Sequence, residues 1–395
     1  MAPMTNAVPH AQQDPTTLES AVRATVAAAA AAADDVDAEA RFPHEAVDAM
    51  KVGGLLSCAF PSRLGGLDTS IRELANISRR LGEACSAAGM IFAMHHSQAA
   101  AVAQSKSPSS ERLIQAMTSA DSLIASATTE ISTGGDIRNS TCAVVTDGHS
   151  IVLEKNAPVI SYGDYADYIA ITARRNPDAP SSDQVLVVVP RRDVQMRATT
   201  PWNVIGFRGT CSPGFLLRAE TATSDALQLD YGSVSERTVL PTAHILWSAV
   251  WLGIADAAME KARREVRSAT RKSGGETTPQ ASRFVDLIVV HQRFEAFLRD
   301  SILRYESFLA SGQNEPPIPF TIALNNLKIN SSMAVVDVVT AALAICGLNG
   351  YREDHPASMG RLLRDSFGPQ LMVSNDRIRA NTAQIVPAYR LGKNL

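Results

Sequence analysis

The spacing of apolar residues along the chain changes period twice. From Thr16 to about Leu123 they recur at helical spacing among Ala, Leu, Glu and Arg, and Pro-Gly breaks such as Pro61–Gly66 separate the segments. From Ile124 to about Leu229 the period shortens. CAVVTDGHSIVLE predicts a hairpin around Asp147-Gly148, and YIAITARR and QVLVVVPRR predict two strands flanking the loop NPDAPSSD. From about Thr242 the helical period returns in long segments. Trp247, Trp251, Ile254 and Ala258 recur every three or four residues, and Leu246, Val250 and Gly253 are also apolar, so the first half of this helix is expected to be buried nearly all round. Its second half, EKARREVRSATRK, is basic and is expected to meet solvent or another subunit. A further helix carries Phe284, Leu287, Ile288, His291, Phe294 and Leu298, and another runs from about Phe320 to Ile345. Long apolar-striped helices joined by short loops predict a bundle. The pattern therefore gives an α+β chain in three parts: a helical domain over 1–123, a central β domain over 124–238 and a helical bundle over 239–395.

Composition narrows the class of ligand. With 395 residues and 45% hydrophobic side chains the chain can bury a substantial core. The net charge of -3, with no basic run and no interleaving of Arg with aromatics, argues against nucleic acid or an anionic membrane surface as partner. A small ligand is expected. Cys58, Cys85, Cys142, Cys211 and Cys346 are odd in number and never in CxxC spacing, which speaks against a disulfide framework or a metal site and for a reducing, cytoplasmic compartment. The alanine run Ala27–Ala33 leads directly into Asp34 and Asp35, so it reads as a helix and not a signal peptide. No run approaches the roughly 18 to 20 consecutive apolar residues of a membrane span.

Five short motifs then occur in a fixed order. They are the Pro-x-x-x-Gly-Gly turn in AFPSRLGGLDTS, SATTEISTGGD (Ser126–Asp136), VISYGDYADY, GFRGTCS (Gly206–Ser212), and CGLNGYREDHP followed by RLLRD. Each glycine pair alone reads as a turn, and no GxGxxG follows a strand and opens a helix. Taken in order, from about Phe42 to Thr382, they resemble the acyl-CoA dehydrogenase superfamily. The resemblance implies an N-terminal α-domain, a central β-barrel or sheet domain and a C-terminal four-helix bundle enclosing FAD, in a homodimer or homotetramer. Thr128 and Thr129 would contact the isoalloxazine, whose N1–C2=O edge gains negative charge on reduction and needs donors. Gly135 would lie near the pyrophosphate, and Ser161 would hydrogen-bond the flavin where Val159 replaces the usual shielding Trp. Gly347, Asn349 and Gly350 would let a backbone approach the FAD of a neighbouring subunit. Asn375 joins this cofactor set. Arg271 stands near an Arg that reaches the neighbouring pyrophosphate in the family, although the Phe-Gly that accompanies it is missing here.

The same resemblance exposes a departure. The family takes the α-proton of an acyl thioester with a Glu while the β-hydrogen leaves as hydride to the flavin. The two positions at which it carries that Glu fall here on Val373 and Ala243, and neither can accept a proton. His244, His96 and Asp376 are the candidate catalytic residues in their place. His95 and His96 lie on the helix that in this fold passes the flavin, and adjacent helical positions diverge by about 100°, so one is expected to face inward and the other outward. Two enzymatic readings follow. One is α,β-dehydrogenation of an acyl thioester, on CoA or on an acyl carrier protein of specialised metabolism, with a non-standard base and an acceptor flavoprotein or oxygen taking the electrons. The other is a flavin oxidase or monooxygenase on the same fold, which needs no α-proton base and pairs with a reductase. A non-catalytic flavoprotein is the third.

Overall fold

The computed structural model describes residues 15–133 and 137–390. Five helices come first: α1 (Pro15–Ala38), α2 (His44–Val52), α3 (Ile71–Ala84), α4 (Ser86–Gln104) and α5 (Pro108–Ala120). Local chemistry sets where they start. Ser70 accepts from the Glu73 N–H while the Glu73 carboxylate accepts from the Ser70 N–H, a reciprocal cap that opens α3. Ser107 accepts from the Ser110 N–H, and Pro108 in the first turn of α5 forfeits only an N–H that has no helical partner there.

α4 is enclosed on all sides, and this corrects the expectation that one of its two histidines faces outward. His95 and His96 are 0% and 1% exposed. His95 accepts from the Ile124 N–H at Nδ1 (3.1 Å) and donates from Nε2 to the Leu56 carbonyl (2.6 Å), which one neutral tautomer satisfies. His96 donates from Nε2 to the Leu55 carbonyl at 3.0 Å. The pair thus fastens α4 to the Leu55–Leu56 segment.

The sheet region holds β1 (Ile124–Ala127), β2 (Val145–Thr146), β3 (Ser150–Ala157), β4 (Tyr168–Arg174), β5 (Gln184–Pro190), β6 (Val194–Thr200), β7 (Gly214–Ala222) and β8 (Leu227–Asp230). They form two four-stranded sheets, ordered β1-β4-β5-β8 and β2-β3-β7-β6. The β2–β3 hairpin turns at Asp147-Gly148, where Gly148 adopts φ +91. β5 is buried at every position and reads as an unbroken apolar run, whereas β7 alternates buried and exposed as a strand with one solvated face must.

Helix resumes at α6 (Tyr231–Val234) and runs through a π-type turn at Ser235–Val239 into α7 (Leu240–Lys272). α8 (Pro279–Ala310), α9 (Ile318–Cys346), α10 (Leu348–Tyr351), α11 (Gly360–Leu371) and α12 (Asn375–Ile385) follow. α7 is the axis of the molecule, packed on α3, α4, α8 and α9. Its contact with α3 is too close for side chains: a β-carbon on Gly253 would overlap the Arg79 carbonyl, and one on Gly82 the Val250 carbonyl. At that crossing Arg79 pairs with Asp256 and Glu295, and Asp256 also meets His291 at 2.6 Å. α7 and α9 are each long and apolar enough to cross a membrane by composition, but 89% of the α7 window is buried within the protein, so packing accounts for its apolarity.

Burial holds His95 at about 4 and His96 well below its ordinary 6.5. Burial and then Lys328 bring His244 to about 4. Between roughly pH 6.5 and 4 the unfolded chain binds protons that these folded imidazoles refuse, so stability is full above 6.5 and falls as the pH drops. For His95 and His244 a shift from 6.5 to about 4 corresponds to roughly 3 kcal/mol each. Urea unfolding midpoints should therefore decline steeply from pH 7 to pH 5; a flat profile would show that the three rings do not enter the folded state neutral.

Candidate active site

A cavity of about 570 Å³ lies where the two sheets meet α4, the start of α7 and the end of α11. That is within the range of pockets that enclose a cofactor-sized ring. Its two sides differ in chemistry. The sheet side presents the hydroxyls of Thr128, Thr129, Ser161 and Ser212, whereas Met90 and Met94 of α4, Leu240, Ala243 and Trp247 of α7, and Phe367 and Met372 make the other side mostly apolar, with Ser97 and Gln98 of α4 as its polar members. Trp202 and Ile205, on the segment after β6, stand at the margin, and Ile205 is exposed. Among the described residues no Asp, Glu, His, Lys or Arg lines the cavity. Tyr231 is the one phenol on its wall, and burial pushes it up to about 12.

The hydroxyl side is built on a buried ion pair. Lys155 Nζ lies 3.0 Å from the Glu130 carboxylate, with both side chains almost fully enclosed. Lys155 also donates to the Thr172 carbonyl at 2.6 Å and to its hydroxyl at 2.8 Å, and the Thr172 hydroxyl donates to the Thr128 carbonyl at 3.3 Å. Glu130 accepts in addition from Ser140 and from the Thr141 N–H and hydroxyl. Burial alone would raise the Glu130 carboxyl, but Lys155 and these donors outweigh it and hold it at about 2. The loop that carries Thr128 and Thr129 is thereby pinned from behind. Lys155 itself was legible as unusual, because the alternation of SIVLEKNA places it on the inward face of β3.

A second support comes from α11. Asp365 is buried, accepts from the Phe207 N–H at 2.6 Å and accepts from the Ser86 hydroxyl. Gly206 meets the Arg364 carbonyl so closely that a β-carbon there would overlap it. The GFRGTCS segment is thus clamped between α4 and α11, with Phe207 and Cys211 both in left-handed conformation. From this turn the Ser212 hydroxyl donates to Ser161 at 2.9 Å, which leaves the Ser161 proton for a ligand in the cavity.

The structure gathers only some of the residues singled out in the sequence. Thr128, Thr129 and Ser161 line the cavity, as do Val159, Val373 and Ala243. His96 and His244 do not; His244 donates from Nδ1 to the Leu324 carbonyl (3.1 Å), and its Nε2 is buried without a partner among the described residues. Asp376 turns to solvent and pairs with Arg379, because it occupies the outer face of the first turn of α12. Asn375 points the opposite way, into contacts with Lys328 and Ser332. Arg271 is exposed near the end of α7. Gly347 ends α9 with φ +59, Asn349 donates to Glu265 at 3.0 Å and Gly350 packs on Cys346, all away from this cavity. Gly135 lies outside the described residues. Among those residues no three His, Cys, Asp or Glu side chains converge as a metal site would require, and the five cysteines are free.

Lys155→Met strands the Glu130 carboxylate in the interior and is expected to cost about 3–5 kcal/mol in denaturant unfolding. Lys155→Met combined with Glu130→Gln should recover most of that loss. If the double variant is no more stable than the single, the pair does not carry the loop.

Comparison with known proteins agrees with the fold. Residues 12–118 match the family model "Acyl-CoA dehydrogenase, N-terminal domain". Cyclohex-1-ene-1-carbonyl-CoA dehydrogenase of Geobacter metallireducens is 22% identical over 350 residues, covering 87% of this chain and 90% of the relative. Among solved structures, FMN-bound TdsC of Paenibacillus sp. A11-2, a dibenzothiophene monooxygenase, superposes with a TM-score of 0.81 at 19% identity over 95% of this chain and 98% of its own. The prolyl acyl carrier protein oxidase AnaB superposes with a TM-score of 0.78 at 17% identity, over 94% and 99% respectively. With a helical N-terminal domain, a central sheet region and C-terminal helices, the chain has the acyl-CoA dehydrogenase-like fold, and its first helical region matches the N-terminal domain of that family.

Proposed function

We propose that this flavin-dependent oxidoreductase is a monooxygenase or oxidase of a neutral, apolar substrate. One observation carries the reading: the cavity wall has nothing to take a proton from carbon. Val373 and Ala243, the two positions where the family carries its Glu, both face the cavity. Abstraction of an α-proton needs a base within about 2.6–3.2 Å of it, directly or through one water. His244 lies behind that wall with its imidazole held neutral, and Asp376 is in solvent. Oxygen transfer that draws its electrons from a separate reductase has no such requirement.

The residues present fit a flavin. Thr128, Thr129 and Ser161 offer hydroxyl donors along one edge of the cavity, where the carbonyl edge of a reduced ring needs them. Held by these residues, a reduced flavin would provide the two electrons that an oxygen-using reaction needs. The apolar side, with Met90, Met94 and Trp247, excludes water and selects a substrate without charge. The cofactor is proposed as FAD on the motif resemblance; TdsC holds FMN, and the mass of the flavin released on denaturation separates the two. A reductase is the proposed electron donor. Exposed Val285, Leu303, Leu348 and Tyr351 support assembly as a dimer or tetramer, and the free cysteines support a reducing cytoplasm.

Dehydrogenation of an acyl thioester on CoA or on an acyl carrier protein is the second reading. It is supported by relatives named acyl-CoA dehydrogenases that align along most of the chain, and by AnaB. The two separate in one set of measurements. Anaerobic mixing with acyl-CoA or acyl carrier protein thioesters should leave the oxidised flavin band unbleached, whereas enzyme reduced by a reductase should place label from 18O2 into indole or a similar neutral aromatic. Bleaching by an acyl thioester, together with no oxygen transfer, would return the chain to the dehydrogenases.

A further inference from the structure

Behind Val373 and Ala243 lies a buried polar cluster that neither reading uses. Lys328, in the middle of α9, is 0% exposed and, among the described residues, has no carboxylate partner. Its Nζ donates to the Val373 carbonyl at 2.7 Å and to the Asn375 side-chain oxygen at 2.8 Å. The Asn375 amide in turn donates to the Ser332 hydroxyl at 3.0 Å. Two acceptors are what the two N–H bonds of a neutral amine require, so the arrangement needs no counter-ion. Burial, then the charge of Arg379 on α12, brings Lys328 to about 7. His244 of α7 is the other titratable group facing it, bonded to α9 one turn earlier at Leu324.

What the cluster holds is a strained turn. α11 ends at Leu371 and α12 begins at Asn375, and between them Val373 adopts φ +45. For a β-branched residue this is an outlier, since the second γ-carbon crowds the backbone in the left-handed region. Such strain persists only where surrounding contacts over-determine it. Met372 and Val373 are cavity wall, so the strained turn is also ligand-facing.

We propose that Lys328 is a positioning residue: with Asn375 and Ser332 it clamps the Met372–Ser374 turn in its left-handed form and so fixes the ligand-facing wall of the cavity. The clamp serves whichever reaction the cavity hosts. It also explains how an amine can be buried in α9, where an unpaired polar group is costly.

The test is a double-variant cycle on the protein as purified, read by binding of the neutral fluorescent probe N-phenyl-1-naphthylamine. Acrylamide quenching of Trp202 and Trp247, which line the cavity, reads the same cycle without a ligand. Lys328→Met leaves the Val373 carbonyl without its donor and is expected to weaken probe binding about tenfold and raise quenching. Val373→Gly relaxes the backbone, because glycine enters the left-handed region freely. In that background Lys328→Met should change either readout by less than about twofold, a coupling that a general loss of core stability does not produce. Equal losses in both backgrounds would overturn the proposal. Should Lys328→Met not fold, Asn375→Ala enters the same cycle under the same criterion, and absence of coupling there overturns it as well.

Discussion

The buried carboxylate of Asp365 is the contact on which the site depends. It accepts from Ser86 at the start of α4 and from the Phe207 N–H in the turn that leaves the sheets, while riding on α11. One side chain therefore joins the N-terminal helices, the sheet region and the C-terminal helices. Burial raises its carboxyl and the two donors oppose that, so its ionised form relies on both partners being in place. Phe207 and Cys211 hold left-handed backbone within the same turn. Because the turn also carries Ser212, which orients Ser161, the inter-domain contact and the cavity's hydroxyl edge are one construction.

A division of labour follows around the cavity. The sheet side is polar and rigid, with Glu130 and Lys155 fixing the Thr128 loop at an interior site where an unpaired charge would be expensive. The helical side is apolar and carries, at Ala243 and Val373, side chains that cannot exchange protons. Apart from the neutral Ser97 and Gln98 on the wall, the polar groups of that side stand one layer back, at His244, Lys328, Asn375 and Ser332. A site with no carboxylate on its described wall and a polar supporting layer behind it is suited to shape a ligand more than to deprotonate it.

Much of the framework was legible because its signals are local. The Asp147-Gly148 hairpin, the strands at Tyr168–Arg174 and Gln184–Pro190, and the long helices α7, α8 and α9 follow from period and turn chemistry. Hydroxyls at Thr128, Thr129 and Ser161 were named from motif order, and the structure puts them on one wall. The histidines show the limit of periodicity. A 100° offset between His95 and His96 says that they point differently, but not that α4 is enclosed in both directions. Asp376 and Asn375 show it again, since neighbours at the start of α12 face solvent and core respectively.

From sequence came the order of helical, sheet and helical regions, the superfamily resemblance, and apolar side chains at Val373 and Ala243, where the resemblance places the family's Glu. Those are properties of single positions and of spacing. Which groups meet was decided by tertiary structure alone. Lys155 and Glu130 lie on different segments, Asp365 is remote from Ser86 and Phe207, and Lys328 reaches Val373 from another helix. A buried polar side chain is stable only with partners, and those partners are supplied by packing between segments that no local pattern connects.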